Sequence, residues 1–532
     1  SGDTADEGRG IQQVAPMTLG ELLSRTSTLL GEELTTEDGH GDVLARPVTS
    51  IAYNSKQMSP GAVFVGLRGQ RSDGTTFAGE AEQQGAVCIV SASPVTPGIN
   101  LPWVRVQDAR QALAGLSVEF FGHPSQELSV IGITGTNGKT TTACLIQSIF
   151  ESAGVQCGRM GTIGHQFGST HQVASLTTPE ASEIQQMLRE MIENSIGACA
   201  LEVSSHALAL HRVTHTRFTT AVFTNLTRDH LDFHGNMNRY FEAKRRLFEL
   251  LPHGQPSILN IDDPRGSTLA DSVERPVTYA LRSEADVTCS SVEGSLTGLR
   301  FDVRTPRGEI RVRSALIGQA NVYNILAAVA TAVALDVSFS AIETGIAAVT
   351  AVPGRFEIVS DATDEVAVVI DFAHTDDALR LLLESARPLT PGRLITVFGC
   401  GGDRDRSKRP LMGAVAARLS DLVVVTSDNP RSEDPAAIIE DIVAGIETGH
   451  AGQKGDRASV RDVGEETPFM TIVDRAEAIS HAVGQACRGD VVIIAGKGHE
   501  TYQVIAGETV PFNDAAVARA ALTKRRSSAR VS

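Results

Sequence analysis

Positive charge is scarce in this chain. It has 47 Lys and Arg against 63 Asp and Glu, a formal net charge of −16. That deficit argues against a nucleic-acid-binding surface, which needs a basic stripe or patch. Paired cysteines are missing as well. The seven cysteines (88, 144, 157, 199, 289, 400 and 487) are scattered and form no Cys-x-x-Cys. They suggest neither a zinc site nor a disulfide framework, and a reduced, cytoplasmic setting fits best. No apolar run approaches the ~20 residues of a membrane-crossing helix, so no membrane insertion is expected. Residues 1–13 are polar and acidic, unlike a secretion signal. There is no internal repeat and no long low-complexity stretch. Residues 523–532, rich in Arg and Ser, are expected to fray.

What is present is a phosphate loop. Ile131-Gly-Ile-Thr-Gly-Thr-Asn-Gly-Lys-Thr-Thr141 follows an apolar run, Leu128 to Ile133, that reads as a buried strand. It leads into Lys139–Phe150, where Leu145, Ile146, Ile149 and Phe150 fall at helical spacing. In such a turn, glycines at 135 and 138 let the backbone approach a polyphosphate. The loop N–H groups and the helix N-terminus face the anion, and Lys139 adds a point charge. Thr140 or Thr141 can offer a hydroxyl to Mg²⁺. The spacing departs from Gly-x4-Gly-Lys, because Ile133 stands where that pattern has Gly. ATP or GTP binding is the expectation.

The 532 residues, 42% of them apolar, allow roughly three or four domains with sizeable cores. Three blocks emerge. The first runs to residue 126, with Val63–Leu67 and Ala86–Val90 as strands. The second, 127–352, opens with the phosphate loop. The third, 353–532, begins at Pro353-Gly354, read as a hinge. Apolar runs are repeatedly followed at once by polar clusters. Ala198–Leu201 leads into Glu202-Val-Ser-Ser-His206, and Thr220–Phe223 into Asn225 and Asp229-His230. Val366–Ile370 precedes Asp371-Phe-Ala-His374, and Leu394–Phe398 precedes Gly399-Cys-Gly-Gly-Asp-Arg404. Leu422–Val425 leads into Asp428-Asn-Pro-Arg431, and Val491–Ile494 into Gly496-Lys-Gly-His-Glu500. Open α/β sheets bind ligands beyond the C-terminal ends of their strands. The order therefore predicts two α/β sheets, in blocks two and three, facing a shared cleft.

The clusters suggest chemistry. Glu202 offers a hard oxygen to Mg²⁺, although the same residue could cap a helix. His230 is a less usual ligand, with a purely structural histidine as the competing reading. Lys244, in the helical stretch Tyr240–Phe248, reads from its surroundings as a solvated-face lysine. Arg212 can clamp a carboxylate or phosphate. Asn321 and Asn324, at the start of an alanine-rich helix, suggest either capping or nucleotide contact. Arg404, Arg431 and Glu500 in one cleft would suit a ligand with carboxylates and an ammonium group; surface salt bridges are the alternative. A nucleotide and an amino acid together suggest ATP-driven amide formation. Phosphorylating a carboxylate gives an acyl phosphate that a neutral amine can attack, with the protein supplying position and charge stabilisation.

These motifs resemble those of the Mur ligases of peptidoglycan synthesis over nearly the whole chain. The residues carrying the resemblance are Thr134-Gly-Thr-Asn-Gly-Lys-Thr-Thr141, Thr177-Thr-Pro179, Glu202-Val-Ser-Ser-His-Ala-Leu208 and Asn225-Leu-Thr-Arg-Asp-His-Leu-Asp-Phe-His-Gly235. They continue through Tyr240-Phe-Glu-Ala-Lys244, Gly354-Arg-Phe-Glu357, Gly399–Arg404, Asp428–Arg431 and Gly496–Glu500. The resemblance implies a central P-loop-type ATPase α/β domain, a C-terminal Rossmann-like α/β domain and a smaller N-terminal α/β domain that binds UDP. It implies ATP at Gly135, Thr136, Asn137, Gly138, Lys139, Thr140 and Thr141, with Asn321, Arg355 and Asp371 near the nucleotide. It implies a magnesium shell of Thr140, Glu202, His230 and Lys244, with Lys244 carbamylated and hence anionic; Lys139 joins Glu202, His230 and Lys244 as the catalytic set. UDP would meet Ser55, Gln70, Arg71 and Ser72, and the muramoyl-dipeptide Thr177, Thr178, Ser204 and Arg212. The amino acid would meet Arg404, Asp428, Asn429, Pro430, Arg431, Gly496 and Glu500.

The implied reaction adds meso-diaminopimelate to UDP-N-acetylmuramoyl-L-alanyl-D-glutamate in the cytoplasm, by a monomer, with closure near Pro353-Gly354. In the family, Asp-Asn-Pro-Arg accompanies diaminopimelate-adding members. An Arg beside the distal carboxylate would be left unpaired by lysine, and sites built for a polar group reject the analogue lacking it by ~10⁴ or more in favourable cases. A lysine-adding ligase, a folylpolyglutamate-type synthetase and a nucleotide switch are the alternatives. Four positions depart from the family pattern. Asn54-Ser-Lys56 stands where Asp-Ser-Arg is common, Leu210 where many members have Gln, and Asp376 where Pro is usual.

Overall fold

Short runs of β-branched and other apolar residues, each ended by glycine or a polar cluster, form the strands. The computed structural model describes residues 17–36, 41–69, 73–361, 363–451 and 467–529. They divide into two compact units. The first holds the described residues up to Thr134, Gly154–Ala221 and Ala243–Ser257. The second holds Gly135–Ala153, Val222–Glu242 and the described residues from Ile258 onward.

In the first unit, β1 (Ser50–Ala52), β2 (Ala62–Gly66), β3 (Cys88–Ser91) and β4 (Trp103–Arg105) form a parallel sheet in that order. The helices Leu19–Leu30 and Ala109–Phe120 bury Leu19, Leu22, Leu113 and Leu116 against Val63, Val65 and Val90. Next come β5 (Ser129–Thr134), β6 (Cys157–Gly161), β7 (Gly164–Phe167), β8 (Thr170–Gln172) and β9 (Ala198–Glu202). Their spatial order is β5-β9-β6-β7-β8. β9 runs parallel to both β5 and β6, and β6, β7 and β8 pair antiparallel.

In the second unit β10 (Thr220–Phe223), β11 (Ser257–Asn260) and β12 (Pro276–Tyr279) are neighbours. An antiparallel sheet follows, of β13 (Thr288–Ser295), β14 (Gly298–Thr305) and β15 (Gly308–Ser314). A six-stranded sheet comes last, of β16 (Glu357–Ile358), β17 (Ala367–Asp371), β18 (Leu394–Phe398), β19 (Leu422–Val425), β20 (Phe469–Thr471) and β21 (Val491–Ala495). Its order is β16-β17-β21-β18-β19-β20, all parallel except β16. Because β21 inserts between β17 and β18, the connections reverse direction there, and the strand ends at that reversal form a natural ligand crevice. Both faces are covered. Leu379, Leu383, Met412, Ala416, Ile438 and Ile442 pack on one side, and Ala478, Ile479, Ala482, Ala518 and Leu522 on the other. A hairpin of β22 (Tyr502–Ile505) and β23 (Glu508–Pro511) follows β21.

The expected mixed α/β architecture with parallel sheets is present. The boundaries of the expected strands shift by a residue or two: Val63–Leu67 becomes Ala62–Gly66, Ala86–Val90 becomes Cys88–Ser91, and Val366–Ile370 becomes Ala367–Asp371. The expectation of a frayed tail fails for residues 523–529, which complete the helix Asp514–Ala529. Arg526 pairs with Asp361 at 2.8 Å and Asp364 at 2.7 Å, and these contacts hold that end.

The same helix begins at a fully buried ion pair. Arg475 donates to both carboxylate oxygens of Asp514, at 2.8 and 2.7 Å, and each side chain is 0% exposed. Removing one partner of such a pair leaves a buried charge uncompensated. Asp514→Ala should therefore lower stability by about 3–5 kcal/mol, read as a fall in the urea midpoint. A change below about 1 kcal/mol would mean that the pair behaves like an exposed one.

Candidate active site

The phosphate loop is shaped before any ligand arrives. Gly135 and Gly138 have φ of 147° and 89°, conformations that glycine adopts without strain. A methyl group at Gly135 would collide with the Thr224 hydroxyl, and one at Gly138 with Asn324 Oδ1. Asn225 accepts from the Thr136 amide through its carbonyl and from the Asn137 amide through its side chain, both at 2.9 Å. Thr224 donates to the Asn137 carbonyl at 2.6 Å, and the Thr227 amide donates to Thr136 Oγ1 at 3.0 Å. The helix Lys139–Ser152 starts at Gly138 with no side-chain cap. Its first amides and dipole therefore suit an anion. Lys139 Nζ donates to the carbonyls of Gly135 and Thr136, each at 2.9 Å.

Around the loop lie several of the expected nucleotide residues. Asn324 Nδ2 donates to Asn321 Oδ1 at 3.0 Å, and Asn321 Nδ2 to the Ile317 carbonyl at 2.7 Å. Asn321 thus does tie down a helix start, while Asn324 faces Gly138. Arg355 Nη2 donates to Thr140 Oγ1 at 3.3 Å, and its guanidinium stacks 4.6 Å from the Phe372 ring centre. Phe372 in turn lies 5.3 Å from the His499 ring. The Asp371 carboxylate accepts from the amides of Phe356 and Ala373, each at 2.8 Å, so it shapes the backbone beside Arg355. Gly354 presses against Gly498 and His499 with φ +65°, and belongs structurally with the third block. His230 adopts φ 53° and faces its own neighbour, with Nε2 3.3 Å from Asp229 Oδ2.

In the first unit a second constellation surrounds Glu202. Its carboxylate is 0% exposed and receives the Thr162 amide and hydroxyl, each at 3.0 Å. Thr162 Oγ1 also lies 3.2 Å from Thr177 Oγ1. Thr178 Oγ1 donates to the Glu202 carbonyl at 2.8 Å and accepts from the Ser204 amide at 3.0 Å. Glu202 is not a helix cap; Ser204 fills that role for Ser205–Ala209. Arg212 Nε lies 2.9 Å from Glu180 Oε1, and Nη1 donates to the Thr178 carbonyl at 3.1 Å. Its guanidinium thus has protein partners. Ser55 is buried and donates to Glu80 at 3.0 Å. Gln70, Arg71 and Ser72 lie outside the described residues.

The reading of Lys244 as a solvated-face lysine is overturned. It is 1% exposed, on the same helical face as buried Tyr240, Leu247 and Phe248. Burying a bare ammonium is costly, so its charge state is a chemical question. Within the first unit, Glu202 presents a hard oxygen of the kind magnesium takes, and Lys244 would suit such an ion only as its carbamate; within the second unit, Thr140 offers a hydroxyl oxygen beside Arg355.

The third cluster forms beyond the strands of the six-stranded sheet. Gly401 sits between two cations: a methyl group there would lie 2.9 Å from Arg431 Nη1 and 3.9 Å from Arg404 Cγ. Arg431 donates to the Gly402 carbonyl at 2.7 Å, and Arg404 to the Asp403 carbonyl at 3.2 Å. Among the described residues, neither forms an ion pair with a carboxylate. Burial and then the repulsion of Arg404 hold the Arg431 pKa below the usual guanidinium range, against the pull of Asp428 and Glu500. Arg431 adopts φ 54°, and its amide donates to the Val504 carbonyl. Glu500 accepts from Asn429 Nδ2 at 2.9 Å. The site thus offers two cations and one anion.

Two residues in these clusters were missed as actors. Lys497, inside a motif that was noticed, is 0% exposed and bonds both Asn429 and Glu500. Thr162, which holds Glu202, directly follows β6, so the strand-end rule would have found it had Cys157–Gly161 been read as a strand.

Comparisons with known proteins agree along the chain. Residues 47–121 match the family model described as Mur ligase family, catalytic domain. Residues 133–332 match the Mur ligase middle domain, and 354–498 the Mur ligase, glutamate ligase domain. The chain is 46% identical over 510 residues to the UDP-N-acetylmuramoyl-L-alanyl-D-glutamate–2,6-diaminopimelate ligase of Solibacter usitatus, covering 95% of this chain and 98% of that protein. A solved structure of a ligase with the same descriptive name superposes with TM-score 0.65 at 31% identity, covering 96% and 99% of the two chains. The MurF ligase of Thermotoga maritima, solved in complex with ADP, gives TM-score 0.61 at 18% identity over 90% and 97%. That last likeness shows the fold alone.

Proposed function

The chain belongs to the Mur ligase family, and on that premise we infer that it joins meso-diaminopimelate to UDP-N-acetylmuramoyl-L-alanyl-D-glutamate in the cytoplasm. It is an ATP-dependent acid–amino-acid ligase of peptidoglycan precursor synthesis. The observation that carries the choice of amino acid is the pair Arg404 and Arg431. Neither forms an ion pair with a carboxylate among the described residues, and Arg431 feels the charges of both Arg404 and Glu500. Diaminopimelate brings carboxylates to the cations and an ammonium to the anion.

The proposed division of labour follows three segments. Residues 1–126 bind UDP, with Ser55 and Gln70–Ser72 in contact. Residues 127–352 bind ATP, and 353–532 hold the amino acid. The matched spans 47–121, 133–332 and 354–498 fall inside these segments and support the reading. The uncapped helix and Lys139 take the triphosphate, with Asn324 and Arg355 flanking it. The acceptor carboxylate, placed by Thr177, Thr178, Ser204 and Arg212, attacks the γ-phosphorus of ATP; the bond to the β–γ bridging oxygen breaks, ADP leaves, and an acyl phosphate forms. The diaminopimelate amine, held by Arg404, Asp428, Asn429, Arg431 and Glu500, then attacks the acyl carbon and phosphate leaves. Magnesium, held by Thr140, Glu202, His230 and carbamylated Lys244, would neutralise phosphate charge.

An amino-acid panel assayed for ADP release with the UDP-dipeptide present tests the reading. Release with diaminopimelate and little with lysine is expected; equal release, or release without any amino acid, contradicts it. Arg431→Ala should reduce the diaminopimelate-to-lysine ratio of kcat/KM by about 10- to 150-fold, the worth of one charge-assisted hydrogen bond. An unchanged ratio removes Arg431 from specificity.

A further inference from the structure

A buried cation stands behind the amino-acid cluster, and the proposed chemistry gives it no part. Lys497 is 0% exposed, yet it sits in the turn after β21. Its Nζ lies 2.6 Å from Glu500 Oε2 and 3.0 Å from Asn429 Oδ1, and 5.7 Å from the Tyr502 ring centre. Asn429 closes the triangle by donating Nδ2 to the same Glu500 Oε2 at 2.9 Å. Asn429 Oδ1 accepts a further bond, from the Val504 amide at 3.0 Å. Val504 accepts from the Arg431 amide at 3.0 Å. One ammonium therefore ties together the Asp428–Arg431 turn, the Gly496–Glu500 turn and β22.

The side chain is not explained by packing alone. A buried lysine costs desolvation that an apolar residue of similar length would avoid. Glu500 is 19% exposed at its side chain, so it is the member of the triangle that reaches solvent. Both of its described side-chain bonds fall on Oε2.

Resting on the reading above, we propose that Lys497 is a positioning residue that fixes which oxygen of Glu500 meets the amino-acid substrate. Lys497 and Asn429 occupy Oε2, and Oε1 is left for the substrate's ammonium. The same lysine, through Asn429 and Val504, sets the Arg431 backbone, so the groups for ammonium and carboxylate are held at a fixed spacing. A ligand with both charges at that spacing binds without the site having to order itself first.

Steady-state kinetics of Lys497→Met in the full-length enzyme test this. KM for diaminopimelate should rise about 10- to 100-fold, the range for losing a charge-assisted hydrogen bond that orients a ligand group. KM for ATP and for the UDP-dipeptide should stay within about twofold, the scatter of a change that touches neither site. Glu500→Gln alone should raise the same KM, and adding Lys497→Met to it should cost clearly less than the sum of the two single effects, because the lysine acts chiefly through that carboxylate. A merely structural lysine would lower thermal stability and leave the three KM values in proportion, or give additive effects in the double variant; either result overturns the proposal. If Lys497→Met does not fold, Lys497→Gln takes its place, and an unchanged diaminopimelate KM in that variant overturns it equally. Failure of the wild-type enzyme to use any diamino dicarboxylic acid would sink the ligase reading and this inference together. Normal wild-type turnover with an unaltered variant sinks this inference alone.

Discussion

Lys139→Ala should abolish ATP-dependent product formation, with kcat/KM falling at least ~10³-fold. The reason lies in the geometry of the loop. The loop backbone at Thr136 and Asn137 is already held by Asn225, Thr224 and Thr227, so the start of the helix Lys139–Ser152, whose first amides suit the phosphates, should survive the substitution. What disappears is the one side-chain cation within the loop, now parked on the Gly135 and Thr136 carbonyls at 2.9 Å. Carbonyl oxygens compete weakly with a triphosphate for a lysine ammonium, so the side chain should turn toward the nucleotide when it binds. Charge that develops on the γ-phosphoryl oxygens during transfer is what such a cation stabilises. The loss should therefore appear mainly in kcat, with a smaller change in nucleotide affinity. Single-turnover assays with radiolabelled ATP separate the two. A variant with wild-type turnover would contradict the loop assignment, and one with intact kcat but a raised KM would make Lys139 a binding residue only.

Much of this was legible in the sequence because the strands are short, apolar and abruptly ended. The runs Thr220–Phe223, Leu394–Phe398 and Leu422–Val425 are strands with the expected limits. Burial on both faces makes a continuous apolar run, and solvent or ligand at the C-terminal end requires polar residues next. Glycine spacing likewise revealed the phosphate loop. What the chain did not reveal were partners distant in sequence. Arg212 reads locally as a clamp for a ligand, and its ion pair with Glu180, which caps the helix Ala181–Glu193, leaves no mark near it in the sequence. Lys497 looked like one more polar residue in a turn, because its acceptor Asn429 lies 68 positions away. The packing of Gly354 is a further case, because Pro353-Gly354 reads locally only as a break between elements. Its contacts with Gly498 and His499 are long-range and leave no local pattern. Periodicity reads what a residue is surrounded by locally; it does not read who sits opposite.

Lys244 is the instructive exception, since its signal was in the sequence and was weighed wrongly. It follows Tyr240 by four positions and precedes Leu247 by three, which places it on an apolar helical stripe. A lysine on that stripe snorkels, serves as a buried structural cation or serves chemistry, and at 1% exposure it is not snorkelling. Carbamylation would convert it from a cation into an anion, the charge that the proposed role toward magnesium requires. Lys244→Ala is accordingly expected to lose at least ~10³-fold in kcat, the scale of removing a preorganised charge from phosphoryl transfer. A short carboxylate such as formate or acetate should restore part of that activity, because the cavity left by the side chain can admit an anion of the right charge. Chloride at the same ionic strength should not. Lys244→Glu should retain more activity than Lys244→Ala and need no additive. If alanine at this position leaves turnover intact, or if chloride rescues as well as formate, the lysine is a buried structural cation and no carbamate is involved. Mass spectrometry of the intact protein at high bicarbonate, expected to show an addition of about 44 Da (one CO₂ on nitrogen), distinguishes the two states without reference to activity.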